Sequence, residues 1–413
     1  MAQVIFNIVT NNAAAIQGVA AYAASLSSLG PKAAAASNQT TTAFDRIEAV
    51  LNKAKSAVIG FIAAVAFAQV IRAFRDLIQS GIDFEASFAG IKKTVEGTET
   101  QFAMLSAEMR KLATDLPISV NELNKIGEIA GQLGIPTDKI LAFTKTIAEI
   151  GVATNLTTEE AATNFARFAT IMGMPIDGIK TFASVVVDLG NKSSATEQEI
   201  LSFSLNIAAA GKRVGLTEVE VAALATTLAS VGLHAEKGGS AMSRILITMQ
   251  TAVEKNSSAL RIFADVADMS TQQFARAFKE NAAQALVAFM AGLKSTVDRG
   301  DEVTSVLKAL SLSELRVNDV TVRTALAVGD LSKNLCIAAK EAQAGGRALD
   351  TEFNKFLQTT QAQLGIAAGR VREMAISLSL ELLPMITSSV KSLVSFIEAI
   401  GKHETALKAA TTA

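Results

Sequence analysis

The chain has 413 residues, of which half are hydrophobic and only 5% aromatic, with no tryptophan and five prolines. Small and aliphatic residues therefore supply the apolar content, and this composition predicts helix nearly throughout. The 38 basic and 39 acidic side chains give a net charge of −1, which argues against a nucleic-acid binder that works by general basicity. A single cysteine excludes an internal disulfide framework and a thiolate metal cluster.

The first 81 residues are predicted to form an Ala/Ser/Thr-rich arm at 1–44 and an apolar helix at 45–81. Within this helix, residues 57–71 are apolar except for Gln69, and basic residues lie on both sides of them. A membrane-spanning helix needs about 20 such residues. Two hypotheses therefore stay open for 57–71: a helix buried by protein, and a segment that inserts into a membrane.

Residues 118–232 repeat. The segment that starts at Gly134 recurs at Gly173 and again at Gly215, and each copy has apolar residues at i, i+3, i+7 and i+10, which form one stripe on a helix. A second predicted helix precedes each copy and begins with a capping box, in which a hydroxyl and a carboxylate satisfy free backbone N–H groups. The boxes are Ser119–Glu122, Thr157–Glu160 and Thr196–Glu199, and the glycines predicted to end these helices are Gly134, Gly173 and Gly211. We therefore predict three tandem helical hairpins, which must stack because each stripe is narrow.

Beyond the repeats, the sequence predicts a helical region at 256–345, with a capping pattern at Ser270 and Gln273, and then a long C-terminal helix and tail at 346–413. A heptad pattern in this last segment predicts a self-associating coiled coil that ends or bends at Pro384. Its core positions are Leu357, Leu364, Val371 and Leu378, with Thr360, Ala367 and Met374 between them. The predicted fold class is all-α, with tandem helical hairpins followed by long, coiled-coil-like helices.

No pattern in the sequence points to catalysis. His234 is predicted to be a solvated or capping residue, and Gly238-Gly239-Ser240 a turn before a helix, because no strand–turn–helix setting surrounds that serine. Cys336 lies in an apolar stretch and is predicted to be a small buried residue. We therefore expect no catalytic, cofactor-binding or metal-ligating residues, no cofactor and no enzymatic activity.

Several stretches carry a resemblance to a known family. They are Phe84-Glu85-Ala86-Ser87-Phe88 with the residues up to Thr98, the Leu-Thr-Thr-Glu-Glu-Ala-Ala run at 156–162, the Leu-Ala-Ser-Val-Gly run at 228–232, the run from Gly238 to Leu246, and the run from Ala375 to Pro384. Together these stretches resemble the core region of phage tail tape measure proteins and the segment that closes it. On this resemblance, residues 82–255 form the tape-measure-like core, which contains the three hairpins at 118–232.

The resemblance implies a structural virion protein that sets tail length while the tail tube polymerises around it and that is ejected before DNA transfer. The partners it implies are the tail tube protein, tail assembly chaperones and tail-tip proteins, together with further copies of the chain, and no sequence-specific nucleic acid. The implied location is the tail lumen of the virion, with the host cytoplasm during assembly and a membrane contact during ejection. Two alternatives stay open: an α-helical repeat scaffold that binds a partner on its concave face, and a helical pore-forming or membrane-active protein in which 57–71 would insert.

Overall fold

The computed structural model of the chain describes residues 67–299 and 303–411. Within these ranges the chain forms 17 α-helices and no β-strand, which confirms the all-α prediction. The chain divides into two compact units, one from Ser87 to Gly369 and one formed by the residues on either side of it. The predicted arm at 1–44 and residues 57–66 of the apolar segment lie outside the described residues.

The helices are numbered in chain order. The first nine are α1 (Phe67–Thr94), α2 (Glu99–Asp115), α3 (Val120–Gln132), α4 (Thr137–Ala153), α5 (Thr158–Met172), α6 (Ile179–Lys192), α7 (Glu197–Val214), α8 (Glu218–Ser230) and α9 (Ala235–Lys255). The other eight are α10 (Ser258–Val266), α11 (Thr271–Glu280), α12 (Ala282–Asp298), α13 (Val303–Ala309), α14 (Leu315–Leu326), α15 (Val328–Gln343), α16 (Ala348–Leu357) and α17 (Thr360–Thr411). A short 3₁₀ turn at Ile176–Gly178 precedes α6.

The three predicted hairpins are present as α3–α4, α5–α6 and α7–α8. In the first two, the chain leaves the first helix through Gly134 and Gly173, whose φ angles are +76° and +70°. These angles lie in the left-handed region, which glycine adopts without a steric penalty. Because the helix stops at both glycines, residues 118–232 do not form a single continuous rod.

Two of the predicted capping boxes are complete. The Thr157 and Thr196 hydroxyls accept from the backbone N–H three residues later, and the Glu160 and Glu199 carboxylates accept from the cap residue's own N–H at 3.2 and 2.9 Å. The same device begins α8 at Thr217, which was not among the predicted boxes. Each box satisfies two backbone donors that the first turn of a helix leaves free.

The remaining predicted box joins two hairpins. Ser119 accepts from the Glu122 N–H at 3.2 Å, and the Glu122 carboxylate accepts from the Thr158 hydroxyl of the next hairpin at 2.9 Å. One hairpin further on, the Gln198 amide donates to Glu160 at 3.3 Å. The predicted stacking of successive hairpins is therefore accompanied by polar contacts between their helix starts.

The predicted end of α7 at Gly211 is wrong. The helix continues to Val214 and ends through Gly215, whose φ is +86°. Gly211 lies inside α7, where an added Cβ would be 2.8 Å from Cγ2 of Val221 on α8. Glycine is needed there because the two helices approach closely, not because the chain turns.

The hairpins are arranged in layers. The first helices α3, α5 and α7 pack side by side, and α9 continues this row. The second helices α4, α6 and α8 pack against them, and α15 and α16 form a further layer, with α16 on α4 and α6 and α15 on α6 and α8. Because they are covered by helices of both neighbouring layers, α6 and α8 are buried without a break over 182–189 and 221–229, as expected for helices that are apolar all round.

A second apolar cluster forms where α10, α11 and α12 meet. The Phe263 ring lies 4.9 Å from that of Phe289 and 6.0 Å from that of Phe274, measured between centroids. The capping box predicted at Ser270 and Gln273 is complete and begins α11. The helix predicted to follow it is interrupted at Asn281, whose side chain caps α12.

The long helix predicted for 346–413 is divided. α16 ends at Leu357, and α17 begins at Thr360 and continues through Pro384 to Thr411. Pro384 therefore does not end the helix. In the unit that contains residues from Arg370 onwards, α17 crosses α1 closely, since the Ser379 hydroxyl donates to the Ile78 carbonyl at 3.4 Å.

Candidate functional site

The structure gives no catalytic role to the residues that the sequence singled out. His234 is exposed and precedes α9 without a side-chain capping bond. The predicted turn at Gly238-Gly239-Ser240 is wrong, because these residues lie inside α9. An added Cβ would be 2.9 Å from the Phe203 ring at Gly238 and 2.5 Å from Cβ of Asn206 at Gly239, so the glycines allow α9 to pack closely against α7.

The predicted burial of Cys336 is also wrong. This cysteine is exposed on α15, because the buried face of that helix is formed by Leu331, Asn334 and Ala338. Among residues 67–299 and 303–411, no group of three or more His, Cys, Asp or Glu side chains is arranged to hold a metal ion. In the same part of the chain, no helix combines the length and the apolarity needed to cross a membrane.

One buried carboxylate lies among the helices of the core. Glu149 on α4 has Oε2 3.8 Å from Nζ of Lys180 on α6, which lies 2.7 Å from Oδ1 of Asp350 on α16. Lys145 lies 4.0 Å from the other Glu149 oxygen. Burial raises the pKa of Glu149 above its ordinary value, and this effect is larger than the opposing attraction of the two lysines. The cluster joins three helices and has the properties of a structural ion pair.

Replacing Glu149 by glutamine is expected to leave the free energy of unfolding unchanged at pH 7 or to raise it by up to about 1 kcal/mol. The lost ion pair is offset because a neutral amide does not carry the desolvation cost of a buried charge. Since the folded pKa is raised, the native chain should also gain stability relative to Glu149→Gln as the pH falls from that pKa towards the ordinary value.

Urea unfolding of both chains between pH 7 and pH 4 measures these effects. Asp177→Asn, at an exposed partner of Lys139, is the matched control and should change stability by less than about 1 kcal/mol. A loss above about 2 kcal/mol for Glu149→Gln at pH 7 would show that the ion pair outweighs desolvation.

The candidate functional surface is an exposed apolar stripe on α17. Leu364, Val371 and Met374 are 66%, 67% and 65% exposed, and their spacing of seven and three residues places them on one face of the helix. Ala367 is exposed between them. Exposed side chains of this size in a regular row indicate a surface that contacts another helix.

The opposite face of α17 is already covered. Its buried residues include Ala362, Gly369 and Ile376, which follow each other at seven-residue intervals. The heptad pattern in the sequence identified the exposed stripe but extended it too far in one direction. Leu357 belongs to α16, and the exposed row therefore begins at Leu364.

Comparison with known protein families identifies a match within the core. Residues 106–311 match the family described as phage-related minor tail protein. The match covers just under half of the chain and includes all three hairpins. It supports a phage tail protein family, with a structural role in the tail, and agrees with a non-enzymatic function and a place in the virion. No curated protein and no solved structure matches the chain significantly.

Proposed function

We propose that this chain is a tape measure protein, which sets the length of a phage tail from inside the tube and leaves before DNA transfer. The observation that carries the proposal is the match of residues 106–311 to phage-related minor tail proteins. A long helix with an unpaired apolar stripe supports it, because a protein that fills a narrow tube must extend along one axis. The tail tube protein, assembly chaperones and tail-tip proteins are the proposed partners.

The helical geometry gives the proposal a length scale. α17 has 52 residues, which corresponds to about 78 Å at a rise of 1.5 Å per residue. The hairpins contribute less while they are folded, because antiparallel helices lie side by side. In the proposed mechanism the hairpins open during tail assembly, or the remaining helices alone set the length.

The α17 stripe is proposed to join copies of the chain in the tail lumen. Two such helices with a heptad spacing can bury Leu364, Val371 and Met374 against each other. This packing removes apolar surface from water, which is the dominant favourable term in most protein association. The chain would therefore occupy the tube as an oligomer.

The double variant Val371→Asp, Met374→Asp is expected to weaken self-association by at least about tenfold, because two charges would be buried at the interface. Arg372→Asp is the matched control, since it produces the same change in net charge at an exposed position of the same helix. Sedimentation equilibrium measures the dissociation constants. Equal dissociation constants for the two variants would contradict a role of the stripe in self-association.

Mass spectrometry of purified phage particles tests the proposed location. The chain should be present and protected from protease in intact tails, and absent from tails that have released their DNA. A chain that is cleaved by protease in intact tails would instead support a scaffold on the tail surface. A chain that is missing from tails and that lyses liposomes would support the membrane-active alternative.

A further inference from the structure

The hairpin formed by α15 and α16 is connected to the repeat region over long sequence distances. It covers the second helices α4, α6 and α8, which are among the most completely buried helices of the described residues. The cover and the covered helices differ in composition. α8 alone contributes nine buried residues, whereas α15 and α16 together contribute five.

The inner face of this hairpin is thin. It consists of Leu331, Asn334 and Ala338 on α15 and Leu349 and Phe353 on α16. Only three of these five are large apolar side chains, and Asn334 places an amide in the middle of the contact. A polar residue at a buried position fixes the alignment of two helices but weakens their association. Few buried apolar contacts are the feature of a segment that opens locally.

Polar contacts align the hairpin at several points. Asn334 Nδ2 donates to the Thr227 hydroxyl at 3.0 Å, and the Leu349 N–H donates to the Ser184 hydroxyl at 3.4 Å. At the surface, Lys180 pairs with Asp350 at 2.7 Å. Exposed pairs of this kind contribute little stability, so they determine where the hairpin lies more than how tightly it is held.

The turn between α15 and α16 contains a close backbone approach. Gly345 and Gly346 both have positive φ angles, of +82° and +74°. An added Cβ at Gly346 would lie 2.8 Å from Cα of Thr181 and 3.2 Å from Cβ of Ser184, whereas one at Gly345 would meet nothing within 4 Å. A side chain at Gly346 therefore pushes the turn away from α6, and one at Gly345 does not.

We propose that α15–α16 is a releasable latch, which detaches from α4, α6 and α8 while the first-helix layer stays folded. Closed, the latch keeps the apolar outer face of α6 and α8 away from water. Released, it exposes that face and removes the covering layer from the hairpins. The latch is a property of the chain itself and goes beyond any role in tail length.

Two buried serines of different layers provide the test. Ser184 on α6 lies beneath the latch and Ser204 lies on α7 in the first-helix layer, and both are fully buried. In full-length chains that also carry Cys336→Ser, Ser184→Cys and Ser204→Cys are labelled separately with a thiol reagent under native conditions. We expect Ser184→Cys to react at least about tenfold faster than Ser204→Cys, because only the former becomes accessible when the latch opens. Equal rates would show that both sites open in one cooperative step and would overturn the proposal.

The two turn glycines supply the matched variants. Added to Ser184→Cys, Gly346→Ala should raise the labelling rate by at least a further tenfold, and Gly345→Ala should change it no more than threefold. The rate for Ser204→Cys should stay within threefold in both backgrounds. An equal acceleration at both cysteines would overturn the proposal, as would equal effects of the two glycine variants. If Gly346→Ala does not fold, the comparison of the two cysteines in the unchanged turn still decides.

Discussion

Replacing Phe182 by alanine should lower the free energy of unfolding by about 3–5 kcal/mol. This side chain is 1% exposed on α6. Its ring stacks on Phe168 with a centroid distance of 4.3 Å and meets the Phe165 ring at 5.7 Å and 71°. Because α6 is covered by helices of both neighbouring layers, the surrounding side chains cannot collapse fully into the space left by the ring.

Urea unfolding followed by circular dichroism measures this loss. Met104→Ala is the matched control, because Met104 is a large apolar residue that is 58% exposed on α2. It should change stability by no more than about 0.5 kcal/mol. If Phe182→Ala costs less than about 1.5 kcal/mol, the cluster is not packed as described.

Gly292→Ala should destabilise the chain by about 3 kcal/mol, near the upper end of the usual cost of overpacking. An added Cβ would lie 1.7 Å from the carbonyl oxygen of Val266 and 2.6 Å from its carbonyl carbon. Both atoms belong to the backbone, so no side-chain rotation can relieve the clash. The end of α10 must therefore move away from α12.

Gly329→Ala is the control for this substitution and should have the opposite sign. Gly329 lies near the start of α15, and an added Cβ there would meet nothing within 4 Å. The substitution should stabilise the chain by up to about 1 kcal/mol, because alanine has the higher helix propensity. Unfolding free energies of the same sign for both variants would contradict the packing described at Gly292.

The hairpins could be predicted because their signals are local. A threonine and a glutamate three residues apart, as at Thr157 and Thr196, form a capping box by themselves. Gly134 and Gly173 stop a helix through their own backbone angles. Each of these signals involves fewer than ten consecutive residues, so the order of the chain already contains them.

Glycines that serve packing could not be distinguished from glycines that serve turns. Gly211 was predicted to end a helix and Gly239 to lie in a turn, and both lie inside helices. What requires glycine at these positions is a neighbour on another helix, such as Asn206 beside Gly239. The sequence around a glycine does not reveal a neighbour that the fold brings to it.

The layer formed by α15 and α16 could be predicted only in part. The uninterrupted apolar stretches at 182–189 and 221–229 indicate helices that are covered on all sides. They do not indicate what covers them. Asn334 meets Thr227 across 107 residues, and Leu349 meets Ser184 across 165. The α17 stripe was easier to identify because its residues belong to one helix and repeat every seven positions.

Tail length in phage that carry altered α17 helices tests the central claim most directly. Deleting or duplicating residues 385–398 changes the helix by two whole heptads, and a 28-residue change over 384–411 doubles the effect. If the chain is the ruler, tails measured by electron microscopy should shorten or lengthen by about 1.5 Å per residue, or about 21 and 42 Å. Tails of unchanged length in all of these phage, with the altered chains still present in them, would contradict the proposal that this protein sets tail length.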